Sequence, residues 1–490
     1  MRNLILTGLI ITLTIINSWS QQLAFPTAEG YGKYSKGGRG GVVYEVTNLN
    51  DSGKGSLREA IEALEPRTVV FRVSGTIILD SPLSIKHPYI TIAGQTAPGD
   101  GICIRKHPIN IGADHVIIRY IRVRLGDESG KDYDAISSRF TKHIILDHVS
   151  TSWSVDECMS IYLCDSITVQ WCIISESMSH SNHVKGSHGF GGIWGSNHGT
   201  YHHNLLAHHS SRNPRMASGA GYTDYRNNVI YNWGYQSLYG GESKQVGGDK
   251  MDFSIFNIIG NYYKPGPATK PGETMHRIAN PSVRNETDFG KWYIADNYVE
   301  GNEAVSIDNW NGGVQTKIPF EKIRLNEPWL SMPINQQKAQ DAFTIVLDNA
   351  GAILPKRDKI DSRIIDEARG GYATFEGKSY KVENQVSDST KVCGIIDTQN
   401  DVEGWPILNS LSAPIDTDHD GMPDNWEEKN GLDKENPDDR NILDSDGYTM
   451  LEKYINSLKQ KSTSAQQCIY KIGGIVVNSR FVARFNIVTV

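Results

Sequence analysis

After its first twenty residues the chain contains no apolar stretch of the roughly 20 residues that a membrane helix needs, so no membrane insertion is expected past that point. Cysteine is scarce. There are six (Cys103, Cys158, Cys164, Cys172, Cys393, Cys468) in 490 residues, with no zinc-type spacing and too few for a disulfide scaffold. Cys158, Cys164 and Cys172 fall within apolar runs and are expected as small buried hydrophobes. Positive charge is not in excess: 49 Lys and Arg against 56 Asp and Glu leave a net charge of -7. That excludes a nucleic-acid binder working through bulk charge. An acidic polymer would be held here only by local basic groups or bridging cations. Long helical patterns are also missing between about residues 68 and 300, which argues against alternating strand–helix units.

What is present begins with Met1 to Ser20. Arg2 opens it, an apolar run follows, and Ser18-Trp19-Ser20 places small residues near a cut. This reads as a secretory signal, too short to be a membrane anchor. Ser56-Leu57-Arg58-Glu59 has the form of a capping box, predicting a short helix over Leu57–Leu64 that covers the end of a stacked structure. Short β-rich runs then recur every two to four dozen residues. They include Tyr89–Ile92, Val116–Val123, Ile144–Val149, Ile167–Ile174, Tyr201–Leu206, Tyr225–Tyr231, Phe256–Tyr263 and Trp292–Val299. Each is too short for a helix and rich in β-branched or aromatic residues. Asn204, Asn228, Asn261 and Asn297 recur at a similar place, which suits a hydrogen-bonded ladder at a turn. The fold class is therefore all-β, a right-handed single-stranded parallel β-helix. Pro328–Thr344 and Asp358–Arg369 read as a helical or irregular wrap across it. The expected organisation is a signal over 1–20, the solenoid with its wrap over 21–375, an acidic segment over 400–456, and an unassigned tail over 457–490.

Three constellations carry chemistry. Asp132-Tyr133-Asp134 puts two carboxylates on one side of an extended segment, which is costly unless a cation is bound. Asp147-His148 follows in the next rung, and Trp153-Ser154-Val155-Asp156-Glu157 one coil later. Arg212-Asn213-Pro214-Arg215 sets two guanidinium groups on a proline-stiffened loop, suited to a substrate bearing carboxylates. Histidines crowd the same region: His180, His183, His188, His198, His202, His203, His208 and His209. One of them is an alternative general base, but residues alternating along rungs cannot all converge, so stacking and hydrogen bonding are their default role.

The R-x-P-R loop between two rungs, preceded by D-x-D and by an acidic coil, resembles polysaccharide lyase family 1, the pectate lyases. The resemblance implies a secreted bacterial-type enzyme that binds Ca²⁺ and cleaves polygalacturonate by β-elimination. It implies Arg212 as the residue that takes the proton, Lys185 and Arg215 as clamps for substrate carboxylates, and Asp132, Asp134 and Asp156 as Ca²⁺ ligands, with Glu157 a further candidate. The pattern is broken at Ser160, where the family has a second acidic residue, and at Ala217, where many members have another arginine. A guanidinium yields its proton only at very high pH, so base catalysis there calls for positive neighbours and alkaline conditions. A lyase for methyl-esterified pectin and a non-catalytic glycan-binding β-helix are the alternatives. The partner is polygalacturonate or pectin, without nucleic acid, and the chain is expected to act as a monomer.

The third constellation is Asp416-Thr417-Asp418-His419-Asp420-Gly421-Met422-Pro423-Asp424-Asn425-Trp426-Glu427. Its acidic positions 1, 3, 5, 9 and 12, with glycine at 6, follow an EF-hand-like calcium loop. Asp416, Asp418, Asp420, Asp424 and Glu427 are the expected ligands, in a structural role apart from catalysis. Asp444-Ser445-Asp446-Gly447 with Glu452 is a partial second loop.

Overall fold

The computed structural model describes residues 21–245, 251–384 and 390–458, with the backbone of Lys471–Ile472 and Ile475–Val476. Met1 to Ser20 and nearly all of the 457–490 tail lie outside the described residues. Strand after strand pairs in parallel, except for the short antiparallel pair Lys471–Ile472 and Ile475–Val476. The rungs stack into a right-handed parallel β-helix. Nine strands, from Gly75–Ile78 to Tyr298–Val299, make one face. Two further faces merge through the long strands Met159–Gln170 and Ile193–His202, each of which pairs with both.

Corners come from single left-handed residues. Tyr120, His148, Trp171, His203 and Asn227 have φ between 50° and 55°, a conformation L-residues tolerate one at a time. This is why the apolar run Val116–Val123 is two strands, Val116–Arg119 and Ile121–Arg124, split at Tyr120. Outside the corner Tyr120, His148, Trp171 and His203 stack at centroid spacings of 4.7, 6.1 and 4.3 Å. Inside it runs the asparagine ladder. The backbone N–H groups of Asn204, Asn228, Asn261 and Asn297 each donate to the next asparagine's Oδ1 at 2.9–3.0 Å, and Asn309, from outside the regular rungs, accepts the last. Inward positions pair in register through Ile92, Ile118, Leu146, Val169, Tyr201, Tyr225 and Ile258, all buried.

The first helix spans Leu57–Glu62, shorter than its sequence suggests. The Ser56 hydroxyl caps the Glu59 N–H, while the Glu59 carboxylate turns to the Gly55 N–H at 2.6 Å and leaves the box half made. The wrap forms helices Ala339–Asn349 and Lys359–Gly370, which bury Val346, Leu347, Ile364 and Ile365 against Ile173, Leu205, Val229 and Tyr231 of the nine-stranded face. Met422, Leu451, Tyr454 and Ile455 of the acidic segment pack on Val70 and Ala93 near the start of the solenoid. Cys103, Cys158, Cys164, Cys172 and Cys393 are buried and unpaired. Among the described residues no helix is long and apolar enough to cross a membrane.

Candidate active site

Rung stacking gathers residues distant in the chain. Glu157 bridges to Phe190, and Phe190 to Ser211, in parallel register. The Ala135 N–H donates to the Glu157 carbonyl, and the Asp156 N–H to the Tyr133 carbonyl. Asp134, Asp156–Glu157, Phe190 and Arg212 thus occupy the same corner on successive coils, which a parallel stack places about 4.8 Å apart. Asp134, Asp156 and Glu157 present oxygens within 4.8 Å of one another. Asp134 also accepts the Glu157 N–H at 3.1 Å.

The Arg212 guanidinium contacts the Glu157 carboxylate, stands 3.9 Å from Asp156 Oδ1, and lies 4.3 Å above the Phe190 ring. Burial, followed by the Asp156 charge, pushes the Asp134 carboxyl well above its usual range. Asp156 moves the other way. Burial opposes its charge, but His188, Arg212 and His183 together outweigh it. His183 and His188 stack face to face, with centroids 3.6 Å apart. Their Nε2 atoms stand 3.5 and 3.0 Å from the two Asp156 oxygens. The His183 Nδ1 accepts the Lys185 N–H at 3.0 Å, so in the neutral ring the proton sits on Nε2 and faces Asp156. These two histidines orient the carboxylate; the crowd of eight in the sequence gave no means of picking them out. Of the others, His209 is bound to the Ser177 hydroxyl and the Ile174 carbonyl, and His208 stands 2.9 Å from Glu367, both in the interior.

The remaining site candidates are arranged differently. Asp132 is exposed, 4.0 Å from His183, and does not join the carboxylate cluster. The Lys185 side chain is exposed on the 179–189 excursion. Arg215 turns to Glu242 at 3.4 Å and lies 5.7 Å from the Tyr239 ring. Glu242 is held in turn by the Ser218 hydroxyl. Sequence spacing carries no sign of Glu242, because the pairing arises from the register of the following coil. Ser160 is buried, and its hydroxyl accepts the Ile193 N–H and helps keep Asp134 ionised. The charges nearest Arg212 are therefore carboxylates, not the cations that the sequence led us to expect.

In the acidic segment, Asp416, Asp418 and Asp420 converge within 4.8 Å, as do Asp420, Glu427 and Asp439. Asp424 does not join them; its carboxylate accepts the Thr417 N–H and hydroxyl at 2.8 Å each. Asp439, which lies outside the loop motif, takes part instead. The partial second loop gathers no free carboxylates. The Lys453 ammonium bridges Asp444 and Asp446 at 2.7 and 2.8 Å, and Glu452 pairs with Arg39 at 2.8 Å.

No family model matches the chain. It is 34% identical over 443 residues to "Probable pectate lyase C" of Aspergillus fumigatus, covering 89% of this chain and 94% of that protein. It is 34% identical over 475 residues to the "Probable pectate lyase C" of Emericella nidulans, covering 94% and 99%. These relatives are fungal and give no support to a bacterial type. Among solved structures, the pectate lyase of Bacillus sp. N165 in complex with trigalacturonate aligns over 66% of this chain and 98% of its own, at 17% identity and a TM-score of 0.45.

Proposed function

Because the chain belongs to the pectate lyase family, we propose that it is a Ca²⁺-dependent pectate lyase that breaks α-1,4-linked polygalacturonate by β-elimination, releasing 4,5-unsaturated oligogalacturonides. The observation that carries this reading is the setting of Arg212 directly against the Asp134–Asp156–Glu157 cluster. Hard carboxylate oxygens suit Ca²⁺, and Asp134, Asp156 and Glu157 bring theirs within 4.8 Å of one another, so the residues fit such an ion. When bound, Ca²⁺ would supply an electrophilic anchor for the sugar carboxylate and stabilise the charge that grows as C5 loses its proton.

The chain's own groups divide the remaining work. Arg212, in its deprotonated form, takes the C5 proton; the C4–C5 double bond forms as the C4–O bond breaks, and the departing oxygen takes a proton from solvent. Asp156 and Glu157 compete with substrate for Arg212, so the guanidinium turns to the sugar only when their charge is met elsewhere. This makes the reaction dependent on added cation. His183 and His188 keep Asp156 facing the cluster. Arg215, steadied by Glu242, and Lys185, on its exposed loop, bind neighbouring uronate carboxylates. Asp132 is a weaker ligand, drawn in with substrate. One chain supplies all of these groups, which supports a monomer as the working unit, and the apolar Met1 to Ser20 segment supports export.

The test is ultraviolet absorbance of unsaturated products from polygalacturonate and from methyl-esterified pectin, each with and without chelator. Chelator-sensitive product from polygalacturonate is expected. Ser160, neutral where the family carries a carboxylate, favours a second reading, a pectin lyase. Faster, chelator-insensitive release from the esterified polymer would establish that reading instead. No unsaturated product from either polymer would leave a glycan-binding β-helix.

A further inference from the structure

Four aspartates of the acidic segment share one pattern. Each spends one oxygen on a backbone N–H of its own segment and keeps the other bare. Asp416 accepts the Gly421 N–H, Asp418 the Asp420 N–H, Asp420 the Met422 N–H, and Asp439 the Asp433 N–H. Asp416 Oδ1, Asp418 Oδ2, Asp420 Oδ2, Asp439 Oδ1 and both oxygens of Glu427 are buried without a hydrogen-bond partner. Glu427 is 0% exposed and Asp420 1%. Five carboxylates therefore face one another, and among the described residues one cation pairs with them, the Arg72 guanidinium 3.4 Å from Asp416. Burying unpaired anions in this way is prohibitive without a counter-ion.

The number of ligands points to the ion. The two triads share Asp420, which brings five carboxylates to one place. Ca²⁺ takes about six to eight oxygens in flexible geometry, carboxylates among them, whereas Mg²⁺ keeps several waters and is bound through one or two carboxylates. The place of the cluster points to its purpose. Met422, between Asp420 and Glu427, is buried on Val70 and Ala93, beside Leu451, Tyr454 and Ile455. Arg72 and Glu45 of the first coils reach back to Asp416 and His419, Glu45 at 2.7 Å from the His419 ring.

We propose that Asp416, Asp418, Asp420, Glu427 and Asp439 form a Ca²⁺ site that clips the C-terminal segment onto the first coils of the β-helix, with Asp439, and not the loop's own Asp424, closing it. Metal bound to the folded state only then adds directly to stability.

The test is Ca²⁺ calorimetry and thermal melting of the full chain carrying Asp156→Asn, which removes one carboxylate charge from the active-site cluster and weakens it. Asp439→Ala and Asp439→Asn are compared with Asp424→Ala in that background; the asparagine variant keeps the side-chain shape. We expect one tight Ca²⁺ in the parent, at least tenfold weaker binding in both Asp439 variants, loss of most of the Ca²⁺-induced rise in Tm, and parental behaviour in Asp424→Ala. Mg²⁺ at the same concentration should not substitute. Parental affinity in Asp439→Asn, a tenfold loss in Asp424→Ala, or a parent whose Tm ignores Ca²⁺ would overturn the proposal.

Discussion

The two carboxylate clusters of this protein are built from the same chemistry and differ in what stands opposite them. At the lateral corner of the β-helix, Asp134, Asp156 and Glu157 face three basic side chains, Arg212, His183 and His188. At the end of the solenoid, five carboxylates face one another, with Arg72 beside one of them and a packed apolar floor beneath. Under the proposed function the first arrangement would exchange its counter-charge with substrate, and under the further inference the second would hold an ion that keeps its interface closed. Similar acidic signatures in a sequence thus differ in whether basic groups converge on them.

Four experiments sharpen or break this comparison. The largest effect is expected from Arg212→Ala and Arg212→Lys, which should lower turnover on polygalacturonate by about 10³-fold, in the range of a lost general base, with the melting profile unchanged. Near-normal turnover in a folded variant would remove Arg212 from the chemistry. Next, Asp156→Ala should raise the Ca²⁺ needed for half-maximal activity by about 10- to 100-fold, comparable to the loss of a metal-orienting partner; a parental calcium titration would show that the lateral cluster holds no ion. Asp416→Ala with Asp420→Ala should lower the Tm in Ca²⁺ by several degrees while specific activity at low temperature stays parental. A large activity loss in folded protein would mean that the two clusters communicate. The smallest effect belongs to Arg215→Ala, a rise in KM of about tenfold with kcat nearly kept, the mark of lost uniform binding. A fall in kcat alone would move Arg215 from binding into the chemical step.

Much of the fold was legible because a parallel β-helix repeats its local chemistry. The asparagines at 204, 228, 261 and 297 recur as a ladder, and the β-branched runs recur as rungs. Corners were less visible. Tyr120 and His148 take left-handed φ with side chains that carry no glycine-like signal, since what rewards the bend is stacking on the next coil. The capping box at Ser56 formed only in part: the Ser56 N–H is taken by the Gly53 carbonyl at 3.1 Å, and the Glu59 carboxylate accepts the Gly55 N–H. In the site, Arg212, Asp134 and Asp156 stand out by motif, and they converge. Lys185 and Asp132 share the motif and remain on the surface.

What the sequence alone determined here is local: rung composition, the ladder, the stiff Arg212–Arg215 loop, and the short-range spacing of Asp416, Asp418, Asp420 and Glu427. Those features depend on backbone preferences and side-chain chemistry within a dozen residues. The tertiary structure alone decided that Glu157 meets Arg212 across the one intervening rung of Phe190, that His183 and His188 are the histidines facing Asp156, that Glu242 takes Arg215, and that Asp439 displaces Asp424 from the carboxylate cluster. Each of those outcomes depends on coil register and loop excursion length. Register is set by the sum of apolar contacts along the whole stack, a quantity no short motif contains.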